Sequence, residues 1–257
     1  MSEREDGAPT LAKSALGEPA LEVGDIVKSY GSLAVLSGIS LTVGAAEAVG
    51  IVGPNGAGKT TLLDVLTGTL PPDSGYVRLL GWDATRLSPP LRARMGLGRT
   101  FQVPRPLAGL TVFENALVGA RRAARLGGQA AYQAAYDALV TTDMVRLANA
   151  QATSLRLLDR KRLELARALA ARPRVLLLDE IAGGLSDPET DQLLETIRRV
   201  NQAGTAIVWV EHVIRVLSAV ATRLVCLADG RVIADGPPAQ VLASDAVKSA
   251  YLGGSVL

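Results

Sequence analysis

Short apolar runs separated by turn residues recur along the first third of the chain, at Glu22–Val27, Ile39–Val43 and Ala48–Val52, and again at Tyr76–Leu80 after the turn Pro71–Gly75. Their length and their content of Val, Ile and Leu predict strands. Thr60–Leu66 carries its apolar positions at helical spacing and predicts a helix fed by the strand Ala48–Val52. Between Leu107 and Ala170 the texture changes to Ala, Leu and Arg with few β-branched residues, as in Glu114–Ala124 and Ala130–Leu139, which predicts a helical insertion. Strands return at Val175–Asp179, Ala206–Val210 and Arg223–Leu227. The first two are unbroken apolar runs of the kind found in parallel sheets covered on both faces. Asp229-Gly230 predicts a hairpin turn, and Pro238–Leu252 a closing helical segment. Residues 1–18 mix charge, Pro, Gly and Ala without period and read as a flexible tail with no assigned chemistry.

With 257 residues, 48% of them hydrophobic, the chain can bury a sizeable core as one domain with an inserted lobe. Its 27 basic and 25 acidic residues nearly cancel, which argues against a nucleic-acid-binding face or a polybasic membrane anchor. The arginine clusters, such as Arg121-Arg122 and Arg160-Lys161-Arg162, read as solvated helix faces. The single cysteine, Cys226, lies in an apolar run, cannot form an internal disulfide, and fits a core position in a reducing, cytosolic compartment. No apolar run approaches the roughly 18 residues that a spanning helix needs, and the polar start Ser2–Asp6 does not read as a secretory signal.

Gly53-Pro54-Asn55-Gly56-Ala57-Gly58-Lys59-Thr60 matches G-x-x-x-x-G-K-[ST], followed by Thr61, and it lies between a strand and a helix as that motif requires. Glycines let backbone N–H groups close around phosphate oxygens, and the helix N-terminus adds positive dipole. Lys59 can then reach the β- and γ-phosphates and the Thr60 hydroxyl can ligate Mg²⁺. Asp179, at the end of a predicted strand, is the natural second carboxylate of such a site. Glu180 follows it and points elsewhere, so it can polarise an attacking water. His212 follows another predicted parallel strand, whose C-terminal end belongs at the same sheet edge as the phosphate loop.

Together with Gln102 in Gly98–Gln102, these motifs resemble the ATP-binding subunit of an ABC transporter over about Leu21 to Leu252. Gly96–Gln102, Gly109–Asn115 and the ending Ala250–Gly253 resemble in particular the ATPases of branched-chain amino acid importers, a look shared by urea and other amide importers. The resemblance implies an α/β fold with a RecA-like P-loop core, an antiparallel β subdomain and an inserted α-helical subdomain at about residues 103–170. It implies ATP and Mg²⁺ as cofactors, with Thr60, Gln102 and Asp179 at the metal and Lys59, Glu180 and His212 in catalysis. It also puts Tyr30 against the adenine, although a lone tyrosine after a strand is core or surface in most proteins. Implied partners are a second ATPase, two membrane permease subunits and, indirectly, a periplasmic or extracellular substrate-binding protein, with the chain peripheral on the cytoplasmic face of the membrane. The alternatives are a soluble ABC ATPase without a transport role and a regulatory ATP-binding subunit with weak turnover.

Three positions depart from the family pattern. Ile181 replaces the proline usual after the catalytic Glu. Ser186, in the loop that contains Gly184, stands where Asp or Asn usually reaches across the dimer. Where the family has L-S-G-G-Q or L-S-Y-G-Q, this chain reads Leu155-Arg156-Leu157-Leu158-Asp159. The usual serine and glycine donate to the γ-phosphate bound by the partner. Here Leu158 adds bulk and Asp159 a negative charge, which Arg156, Arg160 and Lys161 can offset. The expectation is a complete phosphate loop, an altered contribution to the partner's site, and a heterodimer in which a second ATPase supplies the intact signature.

Overall fold

In the computed structural model, which describes residues 18–253, the short apolar runs become strands of two sheets. β1 (Leu21–Tyr30) and β2 (Leu33–Val43) pair antiparallel, and β3 (Ala48–Val52) runs through the phosphate loop into α1 (Lys59–Thr67). β4 (Ser74–Leu79) and β5 (Trp82–Asp83) complete a four-stranded antiparallel sheet of order β2-β1-β4-β5. A short α2 (Pro89–Arg94) leads to β6 (Leu97–Arg99). Residues 103–170 then form α3 (Val112–Arg122), α4 (Gly128–Thr141), two short 3₁₀ turns and α5 (Leu157–Ala170), with one bridge between Thr111 and Gln151. β7 (Val175–Asp179), α6 (Asp187–Gln202), β8 (Ala206–Val210), α7 (Ile214–Ser218), β9 (Arg223–Ala228), β10 (Arg231–Gly236), α8 (Pro238–Ala243) and α9 (Asp245–Gly253) follow.

The second sheet has the order β10-β9-β3-β8-β7-β6, parallel except for the β9–β10 hairpin. Every residue of β3, β7 and β8 is buried. Side-chain alternation splits each of these strands between two cores. Val49, Ile51, Val175, Leu177 and Val208 face α1 and the antiparallel sheet. Ala48, Val52, Leu176, Leu178, Ile207 and Trp209 face the opposite helical layer. Trp209 and Cys226 are core residues, as their apolar surroundings predict. The Asp229-Gly230 turn has both φ angles positive, and Gly230 lies so close to β2 that a Cβ would sit 2.4 Å from the Val35 carbonyl oxygen.

A third core fills the helical insertion. Leu163, Ala166 and Ala170 of α5 belong to it, whereas Leu165 and Ala168 of the same helix pack into the α/β core. α5 therefore joins the two units along its length. The 1–17 part of the predicted tail lies outside the described residues. The sequence pattern does not show α2, α6, α7, β5 or the edge strand β6, and β2 begins at Leu33 instead of Ile39. β6 is only three residues long and owes its strand character to pairing with β7.

Candidate functional site

The phosphate loop takes its shape from positions that reject side chains. Gly53 has φ +149°, and a Cβ there would lie 2.1 Å from the Leu227 carbonyl oxygen. Gly58, at φ +98°, would bring a Cβ to 2.8 Å from the Val35 carbonyl oxygen. Only glycine fits both conformation and space. α1 begins at Lys59 with no side chain capping its first amides, which leaves them directed at the cavity for an anion. The buried Lys59 ammonium donates to the carbonyl oxygens of Gly53 (2.7 Å) and Pro54 (2.9 Å). Burial pushes its pKa below the usual lysine value, and the Glu180 carboxylate opposes that shift. The amide of Gly53 is held too, donating to the Tyr251 hydroxyl at 2.9 Å. The sequence marks Tyr251 only as part of a family-like ending, and its place beneath the loop comes from tertiary structure.

Parallel neighbours β7 and β8 bring the remaining groups to the same sheet edge. Glu180 has φ +43°, a left-handed conformation that costs a side-chain-bearing residue roughly 1–2 kcal/mol. Its carboxylate is gripped at both oxygens, facing His212 Nε2 with one and accepting from Gln102 Nε2 with the other. Together with residues 55–61, Leu33 and Val35, Glu180 and His212 line a cavity of about 360 Å³. Tyr30 is exposed at the end of β1, paired in register with the cavity-lining Leu33. A larger hollow of about 500 Å³ between α4 and α6 contains none of the sequence-predicted site residues.

Asp179, at the end of β7, is buried and is not among the residues lining this cavity, and one of its oxygens accepts from Arg99 Nη2 at 3.0 Å. Arg99 also donates to Asp64 at 2.8 Å and stacks over Phe101, 5.1 Å from the ring centre. It is a site residue that the sequence reading did not single out. Its signal was its place in the Gly96–Gln102 stretch, three residues before Gln102. Thr60, Gln102 and Asp179 each carry an oxygen donor of the kind that suits Mg²⁺, and of the three only Thr60 lines the cavity.

The altered signature stretch opens α5. Arg156 is the N-cap in extended conformation and makes no side-chain cap. Leu157 is exposed and packs beside Gly184, where a Cβ would come 3.3 Å from its Cδ2. Leu158, expected to intrude at the phosphate-facing surface, instead turns half-buried against the α/β core. Helical geometry explains the difference, since successive side chains point about 100° apart and only one of the two leucines can face out. Asp159 lies in the first helical turn, where the macrodipole favours an acid, and pairs with Arg162 at 3.9 Å. Ser186 caps α6, donating its hydroxyl and its backbone N–H to Glu189 at 2.7 and 2.9 Å.

Comparison with known proteins decides the family. Residues 36–183 match the ABC transporter family model, and residues 231–256 match that of the branched-chain amino acid ATP-binding cassette transporter. The chain is 34% identical to the high-affinity branched-chain amino acid transport ATP-binding protein BraF of Pseudomonas aeruginosa, covering 93% of this chain and 99% of that protein. This chain belongs to the ABC transporter ATPases. LivG of Escherichia coli K12, a high-affinity branched-chain amino acid transport ATP-binding protein, is 33% identical over the same shares of the two chains. The ADP conformation of MJ1267, an ATP-binding cassette of an ABC transporter, superposes with a TM-score of 0.84 at 27% identity, covering 92% of this chain and 99% of that one. Cassettes of this family hydrolyse ATP to drive transport, and this chain is an ABC ATPase in both fold and family. No helix among the described residues is long and apolar enough to cross a membrane.

Proposed function

We propose that this chain powers an importer of branched-chain amino acids or a related amino acid or amide, by binding and hydrolysing MgATP at the phosphate-loop cavity. The observation that carries the hydrolytic assignment is the Glu180 carboxylate, held between Gln102 and His212 on the wall of that cavity. The substrate class rests on the match of residues 231–256 and on the likeness to BraF and LivG along almost the whole chain. That end-to-end likeness favours transport over a soluble, non-transport ABC role.

In this reading the free amides of the loop and the α1 N-terminus receive the phosphates. Lys59 leaves the Gly53 and Pro54 carbonyls to meet the β- and γ-phosphates, for which its charge is a better match. Thr60, Gln102 and Asp179 hold Mg²⁺, which neutralises charge on the phosphates when bound. Arg99 orients Asp179. Glu180 takes the proton of the attacking water, and His212 contacts the γ-phosphate. Tyr30, exposed at the strand end beside Leu33, supplies an aromatic face for the adenine.

As an ATP-binding subunit the chain works with membrane permeases. We assign it two such subunits, a second ABC ATPase, a substrate-binding protein outside the membrane, and a peripheral position on the cytoplasmic face. The heterodimer is supported by Arg156 and Leu157, which stand where the family presents a serine and a small or aromatic residue to the partner's nucleotide. The opposed reading, a regulatory subunit with weak turnover, is disfavoured by the complete set Lys59, Glu180 and His212. Glu180→Gln tests the central claim. MgATP affinity is retained while turnover falls about 10²–10⁴-fold, and unchanged turnover removes Glu180 from the role of base.

A further inference from the structure

Glu211 directly follows β8 and stands between two elements of the site without lining the cavity. It is 3% exposed. One carboxylate oxygen accepts the Ala182 N–H at 2.8 Å, and the other accepts the N–H of His212 at 3.3 Å. A single buried carboxylate thus grips the backbone two residues beyond Glu180 and the backbone that carries His212. The turn it holds is the one in which Glu180 adopts φ +43°. A conformation of that kind persists only where its surroundings over-determine it.

Burial pushes the Glu211 pKa up, the two backbone N–H groups draw it down, the Glu180 carboxylate raises it and the Lys161 ammonium lowers it. Its place is fixed by the hydrogen bonds to Ala182 and His212, since a buried acceptor stays where its donors are.

We propose that Glu211 is the positioning residue of the hydrolytic centre, fixing the backbone that aims Glu180 and His212. The inference rests on the reading of Glu180 as base. Glu211 touches no reacting atom in this scheme. Its effect belongs in kcat, because the phosphate loop that sets ATP affinity is held by other contacts.

The test compares Glu211→Ala, which removes both acceptors, with Glu211→Gln, which keeps an acceptor for the Ala182 N–H. Phosphate release from MgATP is measured on the full chain, in whichever assembly turns over faster, alone or paired with a second ATPase. Glu211→Ala should lower kcat about 10- to 100-fold, the scale of a misplaced catalytic group, with KM for ATP within about twofold, and Glu211→Gln should recover part of that loss. An unchanged kcat in Glu211→Ala, equal changes in kcat and KM, or a Gln variant no better than the Ala variant would overturn the proposal. If Glu211→Ala melts before it can be assayed, Glu211→Gln decides alone by the same kcat and KM criterion. Glu180→Gln runs beside them. If it too leaves turnover intact, the base assignment has failed. If it abolishes turnover while neither Glu211 variant lowers kcat, only the brace has failed.

Discussion

The Tyr251 hydroxyl accepts the Gly53 amide proton at 2.9 Å, joining the last helix of the described chain to the first residue of the phosphate loop. The Gly53 carbonyl, in the next peptide unit, receives the Lys59 ammonium at 2.7 Å. The two peptide units that flank the Gly53 Cα are thereby both fixed, and the segment around Tyr251 becomes part of the nucleotide site. Removing the hydroxyl in Tyr251→Phe leaves a buried N–H without its acceptor, at a cost of about 1–2 kcal/mol. The expected outcome is a lower melting temperature and a raised KM for ATP. An unchanged melting curve would show that water replaces the hydroxyl at no cost.

Gly53→Ala tests the loop itself. The added Cβ would lie 2.1 Å from the Leu227 carbonyl oxygen, a backbone atom that cannot swing away. The loop must shift relative to β9, and ATP affinity should fall at least about tenfold, equivalent to about 1.4 kcal/mol. Isothermal titration with ATP checks this, and wild-type affinity would contradict the close packing.

Glu164 offers a pH-dependent readout. Burial raises its pKa above the unfolded value of 4.5, although Arg167 and the Arg105 N–H pull the other way. In the window between the unfolded and folded values, the native state holds more protons than the unfolded state, so stability falls as pH rises through it. Glu164→Gln stays neutral and lacks that slope. Urea unfolding from pH 4 to pH 7 should therefore show wild type losing stability relative to Glu164→Gln as pH rises. A relative gain instead would reverse the sign assigned to this carboxyl.

The altered signature predicts asymmetric activity. The purified chain alone should hydrolyse ATP weakly, a second ATPase with an intact glycine signature should raise turnover, and Lys59→Ala in this chain should abolish most activity of the pair. Restoring serine at Arg156 together with glycine at the exposed Leu157 should raise self-activity. Glycine at Leu158, which packs half-buried against the core, should instead cost about 1–3 kcal/mol of stability, from lost burial and the helix penalty of glycine, without that gain. An isolated wild-type chain as active as the pair would sink the heterodimer.

Much of the site was legible along the chain because its chemistry is local. The phosphate loop is a strand, a glycine-rich turn and a helix in continuous order, and Asp179-Glu180 and Glu211-His212 each directly follow apolar runs that must be buried parallel strands. What folding alone decided are relationships across long separations or around a helix axis. Tyr251 meets Gly53 across 198 residues and Arg99 meets Asp179 across 80, and no spacing rule reaches that far. Arg156–Asp159 could be read as residue types. Which side chain faced outward depended on how α5 packs between two cores, and that packing turned Leu158 inward and left Leu157 exposed. Local sequence thus determined the groups of the site, because strand and helix periods act over a few residues. Tertiary packing determined their partners, because a buried donor, carboxylate or ammonium takes whichever opposite group the fold carries to it.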